Sequence, residues 1–309
     1  MVGRLRRARG PPGAWAGSPH GALYRPAVPL KFVSWNLKGS KGADTAAVVD
    51  HITAGAADVV LLQEVQCAQA RRIARSLGAR SWRWGFKHWP IRTWPEGMAV
   101  IGVTRPARVR TRAISRRWAP WSWRRRILQI GSVEVDPGRA VTLVNVHLTP
   151  HPHRTAIREV EVALVLRLVG EERRPAVVAG DFNDRPGAAI HGLLAAGGLH
   201  DAWDDVHAVD AAVDAAVDAA VDAAVDAVVD PAPPSPAAGG SRPADAGATN
   251  WRGWVRGTPR APSQRLDYVL LSAALKPLSV SVPRHGQPGF ERFATLSDHL
   301  PVTATVARG

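Results

Sequence analysis

A single cysteine, Cys67, in 309 residues excludes an intramolecular disulfide and any zinc site built on thiolates. It follows a run ending in Glu64 and falls in a helix-like segment, where packing rather than reactivity is its expected role. No stretch approaches about 18 consecutive apolar residues, so a membrane-spanning helix is not expected; the 46% hydrophobic fraction is inflated by alanine. The opening MVGRLRRARGPPGAWAGSPHGALY lacks the apolar segment of about 7–15 residues that marks an export signal, being broken by Gly and Pro. Residues 1–29 therefore read as a disordered basic arm, and the protein as cytoplasmic. Lys and Arg are missing altogether from 201–230, which holds nine Asp, although the chain as a whole carries a net charge of +14.

The excess of bases is thus concentrated outside that acidic stretch. Such a field attracts polyanions, nucleic acid first and anionic phospholipid second; the competing explanation is an arginine-rich composition inherited from the genome's base content. Twelve Trp stand against two Tyr and five Phe, and many lie in two Trp–Arg clusters, SWRWGFKHWPIRTW at 81–94 and RRWAPWSWRRR at 116–126. Cations attract phosphate while flat rings stack on bases or wedge into a groove. The same mixture suits a membrane interface, or rings packed under loops with Arg laid over them. Trp121 and Arg124 are the candidates for substrate contact here.

Along the chain, strands are expected at 31–36, 58–64, 98–104, 125–135, 140–148, 176–181, 265–272 and 299–307, with helices at 43–55, 66–77 and 153–170. Helices alternating with runs of adjacent strands predict packed sheets with helices outside them, not one doubly wound parallel sheet. Residues 207–230 repeat AAVD. A four-residue period drifts about 40° per repeat on a helix, so no fixed apolar face forms, and Asp residues four apart repel. With the Pro/Gly-rich residues that follow, 207–248 reads as an insertion in one catalytic domain spanning 30–309. An acidic arm competing with substrate for the basic face is a further reading of it.

Six strand-like apolar runs carry an acid, amide or histidine at one end: KFVSWN, VVLLQE, VTLVNVH, AVVAGDFND, RLDYVLL and LSDHLPV. Burying such groups costs free energy unless they are paired or hold a metal, so their repetition predicts that they are collected into one site. Taken singly, each has an ordinary explanation: Glu64 as a solvated strand end, Asn36 as a turn residue, and Asp181 with Asn183 as an Asx-turn. Asp181 and Asn183 are two apart, so in an extended segment they point the same way.

In their order, SWN at 34–36, LLQEV at 61–65, NVHL at 145–148, GDFND at 180–184, RLDYVLL at 265–271 and LSDHLPV at 296–302 resemble the endonuclease/exonuclease/phosphatase superfamily. The resemblance implies a four-layer α-β-β-α sandwich of two packed mixed sheets. It implies Glu64 as principal ligand of Mg²⁺ or Mn²⁺, with Asn36 and Asp298 nearby. Asp181 and an Asp267–His299 dyad would orient and deprotonate the attacking water, and Asn183 would stabilise the pentacovalent state. His147, histidine as in the deoxyribonuclease-like and sphingomyelinase-like branch, would protonate the leaving group or bind phosphate, with Glu96 supporting it.

His147, His151 and His153 could instead form a zinc cluster, but Pro150 and Pro152 splay that loop rather than offer helical spacing. Arg154 and Arg158 follow as candidate phosphate contacts, with solvated helix charges as the alternative. The expectation is a monomeric, divalent-metal-dependent phosphodiester hydrolase, foremost a nuclease acting on DNA. The alternatives are a phospholipid or sphingomyelin phosphodiesterase or a phosphatase, and, from another class, a non-catalytic nucleic-acid-binding protein.

Overall fold

In the computed structural model, residues 28–89, 95–115, 122, 125–136, 138–208, 247–250 and 262–309 are described. The AAVD repeat beyond residue 208, the basic arm up to 27, and Trp121 and Arg124 lie outside them.

The apolar runs become interior strands. β1 (Leu30–Asn36) and β2 (Val59–Gln66) pair in parallel at the centre of one sheet. β7 (Arg139–His147) and β8 (Ala176–Asp181) do the same in the other. Parallel neighbours need a crossover, which α1 (Thr45–Ala54) supplies in the first sheet and α3 (Thr155–Glu172) in the second. Asp44 caps α1 by accepting from the amides of Ala46 and Ala47 at 3.0 and 3.2 Å.

Around these pairs the sheets extend antiparallel, each to six strands. The first runs β11-β12-β1-β2-β4-β3, adding β3 (Ser81–His88), β4 (Glu96–Gly102), β11 (Leu275–Ser281) and β12 (Val302–Arg308). The second runs β5-β6-β7-β8-β10-β9, adding β5 (Ala107–Ala113), β6 (Ile127–Asp136), β9 (Leu199–Asp201) and β10 (Asp267–Ser272).

Two helices cover each outer face. Ile73 of α2 (Cys67–Ser76) joins Val48 and Ile52 of α1 in the larger core. Val162 and Val165 of α3 and Ile190 and Leu194 of α4 (Ala189–Ala196) pack on Leu128, Ile130, Val144, Val146 and Val178. The result is the expected four-layer sandwich. Cys67 opens α2 but is exposed, so the packing role expected of it is not what the fold gives it. Among the described residues no helix is long and apolar enough to cross a membrane.

Between the sheets, buried amide side chains meet one another. Gln63 Nε2 donates to Asn145 Oδ1 at 2.7 Å, and Asn145 Nδ2 lies 3.1 Å from Leu62 O, 3.2 Å from Ala99 O and 3.2 Å from Gln129 Oε1. All three amide side chains are fully buried. Buried amides are tolerated where their bonds are made, and these bonds tie one sheet to the other, with Gln63 Oε1 alone of the three amide oxygens left without a partner among the described residues.

Candidate active site

Because β1, β2, β7 and β8 all run the same way within their pairs, their C-terminal ends deliver Asn36, Glu64, His147 and Asp181 to one rim. β10 and β12 run antiparallel, so the residues at or before their starts, Asp267 and His299, reach the same rim. Two backbone devices sharpen the placement. The β2–β4 register shifts between Leu62 and Val65, and within that bulge Glu64 takes a φ of 48°, re-aiming its side chain. Gly180, at φ 145°, precedes Asp181; a Cβ there would sit 2.0 Å from Val146 O, so only glycine lets β8 close on β7.

Asp181 is the hub. Its Oδ2 accepts from Asn36 Nδ2 at 3.0 Å and lies 3.6 Å from His147 Nε2 and 3.8 Å from His299 Nε2. Oδ1 accepts from the amide of Asn183 at 2.9 Å, the Asx-turn anticipated as the alternative role. Asn183, at φ 54°, gives one amide hydrogen to Leu148 O at 3.1 Å. Burial pushes the Asp181 carboxyl up to about 6.

His299 Nδ1 meets Asp267 Oδ2 at 2.8 Å. Burial alone would lower the affinity of this imidazole for its proton, but the carboxylates of Asp267 and Asp181 outweigh it and push the value up to about 10. Surrounding groups hold the pair in place. Thr249 Oγ1 accepts from the amide of Asp267 at 3.1 Å, and Ser297 Oγ accepts from the amide of His299 at 3.1 Å while donating to Asn36 O at 2.7 Å. Asn250 Nδ2 donates to Asp298 O at 3.1 Å.

On the opposite flank the structure departs from expectation. Glu96 does not support His147 directly. Lys87, from β3, stands between them, with Nζ 3.0 Å from Glu96 Oε1 and 3.3 Å from His147 Nδ1. The physical reason is room and charge. β3 is hydrogen-bonded to β4 with His88 opposite Glu96, which brings the neighbouring ammonium to the carboxylate first. Burial works to raise Glu96, but the Lys87 ammonium, together with His88 and Arg126, more than offsets it and holds the carboxyl below its ordinary value. His147 lies well below the usual imidazole range, through burial first and then the charges of Lys87 and Arg126.

Arg158 is not a phosphate contact. It is fully buried, its guanidinium bonded to Asp184 Oδ2 at 2.9 Å, His151 O at 2.7 Å and Thr149 O at 3.2 Å. Arg154, at the start of α3, is half-buried. Asp298 is ion-paired through Oδ2 with Lys38 Nζ. Lys87, Lys38, Thr249, Asn250 and Ser297 were not singled out by the sequence reading. Ser297 lay inside the motif LSDHLPV, and Lys87 inside the Trp–Arg cluster SWRWGFKHWPIRTW.

The donor set fits a hard divalent cation, which prefers oxygen ligands. Glu64, whose side chain is 24% exposed, lies 3.7 Å from His147 Nε2. Burial, then the neighbouring carboxylates of Glu96, Asp298 and Asp181, push it up to about 7 despite Lys87. This is like-charge crowding that a cation relieves. Asp181, Asp267 and His299 also offer ligand atoms all within 4.8 Å of one another, and the buried Asp267 Oδ1 has no hydrogen-bond partner among the described residues.

Comparison with known proteins agrees with this fold. The model of the Endonuclease/Exonuclease/phosphatase family matches residues 33–299. No curated protein matches significantly. Among solved structures, a Bacteroides thetaiotaomicron endonuclease/exonuclease/phosphatase family protein is similar at 17% identity and TM-score 0.65, over 93% of this chain and 100% of that one. The human Nocturnin catalytic domain with bound sulfate is similar at 18% identity and TM-score 0.62, over 91% and 94%. D. rerio TDP2 complexed with single strand DNA product is similar at 17% identity and TM-score 0.60, over 90% and 98%. At these identities the likeness speaks for the fold alone.

Proposed function

Because the chain belongs to the endonuclease/exonuclease/phosphatase family, we propose that it is a divalent-metal-dependent phosphodiester hydrolase whose main substrate is DNA. Members of this family act typically on phosphodiesters or phosphate esters. The observation that carries the reading is Asp181 Oδ2, set 3.6 and 3.8 Å from the Nε2 atoms of two buried histidines beside Glu64.

Glu64, with Asn36 and Asp298 close by, would hold Mg²⁺ or Mn²⁺, which would supply charge neutralisation to the phosphate. Asp181 accepts the proton of the attacking water; its value of about 6 leaves it ionised at neutral pH yet basic enough to take a proton. Asn36 fixes the carboxylate's orientation through its 3.0 Å bond. His299, at about 10, is an imidazolium at neutral pH, so it stabilises the phosphoryl charge rather than deprotonating water as first expected. Asp267 orients that ring. His147 and Asn183 bind phosphoryl oxygens as the pentacovalent state forms.

DNA is favoured by the net charge of +14 and the two Trp–Arg clusters. A DNA product complex of a TDP2 with the same fold makes the choice chemically consistent. A second reading, sphingomyelin or phospholipid, rests on Trp82 and Trp89, which are 39% and 55% exposed. A substrate panel with Mg²⁺ separates them: plasmid, single-stranded DNA, RNA, sphingomyelin vesicles and inositol phosphates, with Glu64→Ala and His299→Ala as controls. DNA hydrolysis that falls steeply with salt supports the first reading. Turnover only on vesicles supports the second. Wild type indistinguishable from both controls on every substrate sinks the hydrolase.

A further inference from the structure

Lys87 lies on β3 within the cluster SWRWGFKHWPIRTW, where its neighbours suggest a surface charge. Its side chain is instead 3% exposed, with Nζ 3.0 Å from Glu96 Oε1, 3.3 Å from His147 Nδ1 and 3.9 Å from Glu64 Oε1. Building on the hydrolase reading above, we infer that Lys87 is a positioning residue that locks His147 as a hydrogen-bond donor to a phosphoryl oxygen.

An ammonium has three N–H donors and no acceptor. Placed against Nδ1 it can only donate, so Nδ1 presents its lone pair and the ring's proton resides on Nε2. That Nε2–H points at the space bounded by Asp181 Oδ2, 3.6 Å away, and Glu64 Oε1, 3.7 Å away, where the phosphoryl group has to lie for Asp181 to direct water at it. Had Glu96 touched the ring itself, the carboxylate would have drawn a proton to Nδ1 and left Nε2 an acceptor. Interposing one lysine reverses the ring's polarity. Glu96 acts through it, holding the ammonium in place. The proton on Nε2 is therefore shared with the phosphoryl oxygen and not passed to the leaving group.

Selective ¹⁵N-histidine labelling of the wild type tests this first, with the His147 signals assigned by His147→Gln. The Nε2–H tautomer is expected in wild type and in Lys87→Arg, and its loss in Lys87→Met. A wild-type Nδ1–H tautomer, or a tautomer unmoved in a folded Lys87→Met, overturns the proposal. This arm needs no substrate, so it decides whether Lys87 fixes the ring's tautomer even if the hydrolase reading fails.

Kinetics supply a second arm. Loss of one such donor lowers kcat by about 10²-fold. In Lys87→Met that loss should be equal for bis(p-nitrophenyl) phosphate and for a diester with an alkyl leaving group, and Lys87→Arg should restore most of it. A loss confined to the alkyl substrate would mean that His147 delivers a proton, and the proposal would fall.

Discussion

His147 and His299 both approach Asp181 Oδ2 with Nε2, at 3.6 and 3.8 Å, and both are buried at the same rim. What differs is the group behind each ring. His147 Nδ1 faces the ammonium of Lys87 and His299 Nδ1 the carboxylate of Asp267. Burial works to strip the proton from both rings, and only the flank with carboxylates reverses it, so one value falls well below 6.5 and the other rises to about 10. Two identical side chains within reach of one oxygen thus become a neutral donor and a fixed cation. The residue type tells little here; the charge at Nδ1 decides.

The most damaging way to break this pairing is to alter the oxygen they share. Asp181→Asn keeps the shape but removes the proton acceptor and the anion facing both rings, and kcat on DNA should fall by at least about 10³-fold. Retained melting behaviour would show that the loss is chemical.

Removing one flank is milder. Asp267→Asn should cost about 10²-fold in kcat/KM, and its pH profile carries the signature. In wild type, activity should rise as Asp181 ionises through about 6 and fall as His299 loses its proton through about 10. Asp267 is the leading cause that raises His299, so the variant's alkaline limb should move to lower pH. An alkaline limb that stays in place would separate it from His299.

The smallest effect concerns stability without a cation. Glu64 is raised from 4.5 to about 7, so its folded form resists ionising. The sign follows from proton linkage: stability is present below the unfolded value and is lost as pH rises through the folded one. In a chelator at pH 8, Glu64→Gln should therefore melt above wild type by several degrees. That corresponds to about 2 kcal/mol after discounting for partial exposure. The gap should close by pH 4, and saturating Mg²⁺ at pH 8 should reverse its sign. Calorimetry across pH, with and without cation, reads all three.

The eight interior strands were legible as apolar runs within a few residues of their ends. The four that were not read, β3, β5, β9 and β11, are the four sheet edges. An edge strand is half solvated and carries charge that blunts further pairing. Accordingly SWRWGFKH and ARVRTRA look like basic surface, not strand. Site residues at the ends of apolar runs were legible for the same reason that the interior strands were. Lys87 was hidden twice, on an edge strand and 60 residues from the ring it contacts. Thr249 and Asn250 act through backbone contacts that no spacing announces, and Arg158 looked like a phosphate contact because its sequence neighbours give no sign of Asp184 closing over it.

The hydrogen bonding of side-chain amides between the sheets has a consequence for the accuracy of the site. Gln63 adjoins Glu64, and Asn145 stands two residues before His147. The separation of the two halves of the rim is therefore referenced to a group of buried hydrogen bonds, the shortest 2.7 Å, a residue or two from where it matters. Twelve strands twist and breathe, and their combined sway would blur a site assembled from both sheets. A datum this close keeps that error from accumulating, so the sandwich can flex at its edges while the distance from Glu64 to His147 stays true.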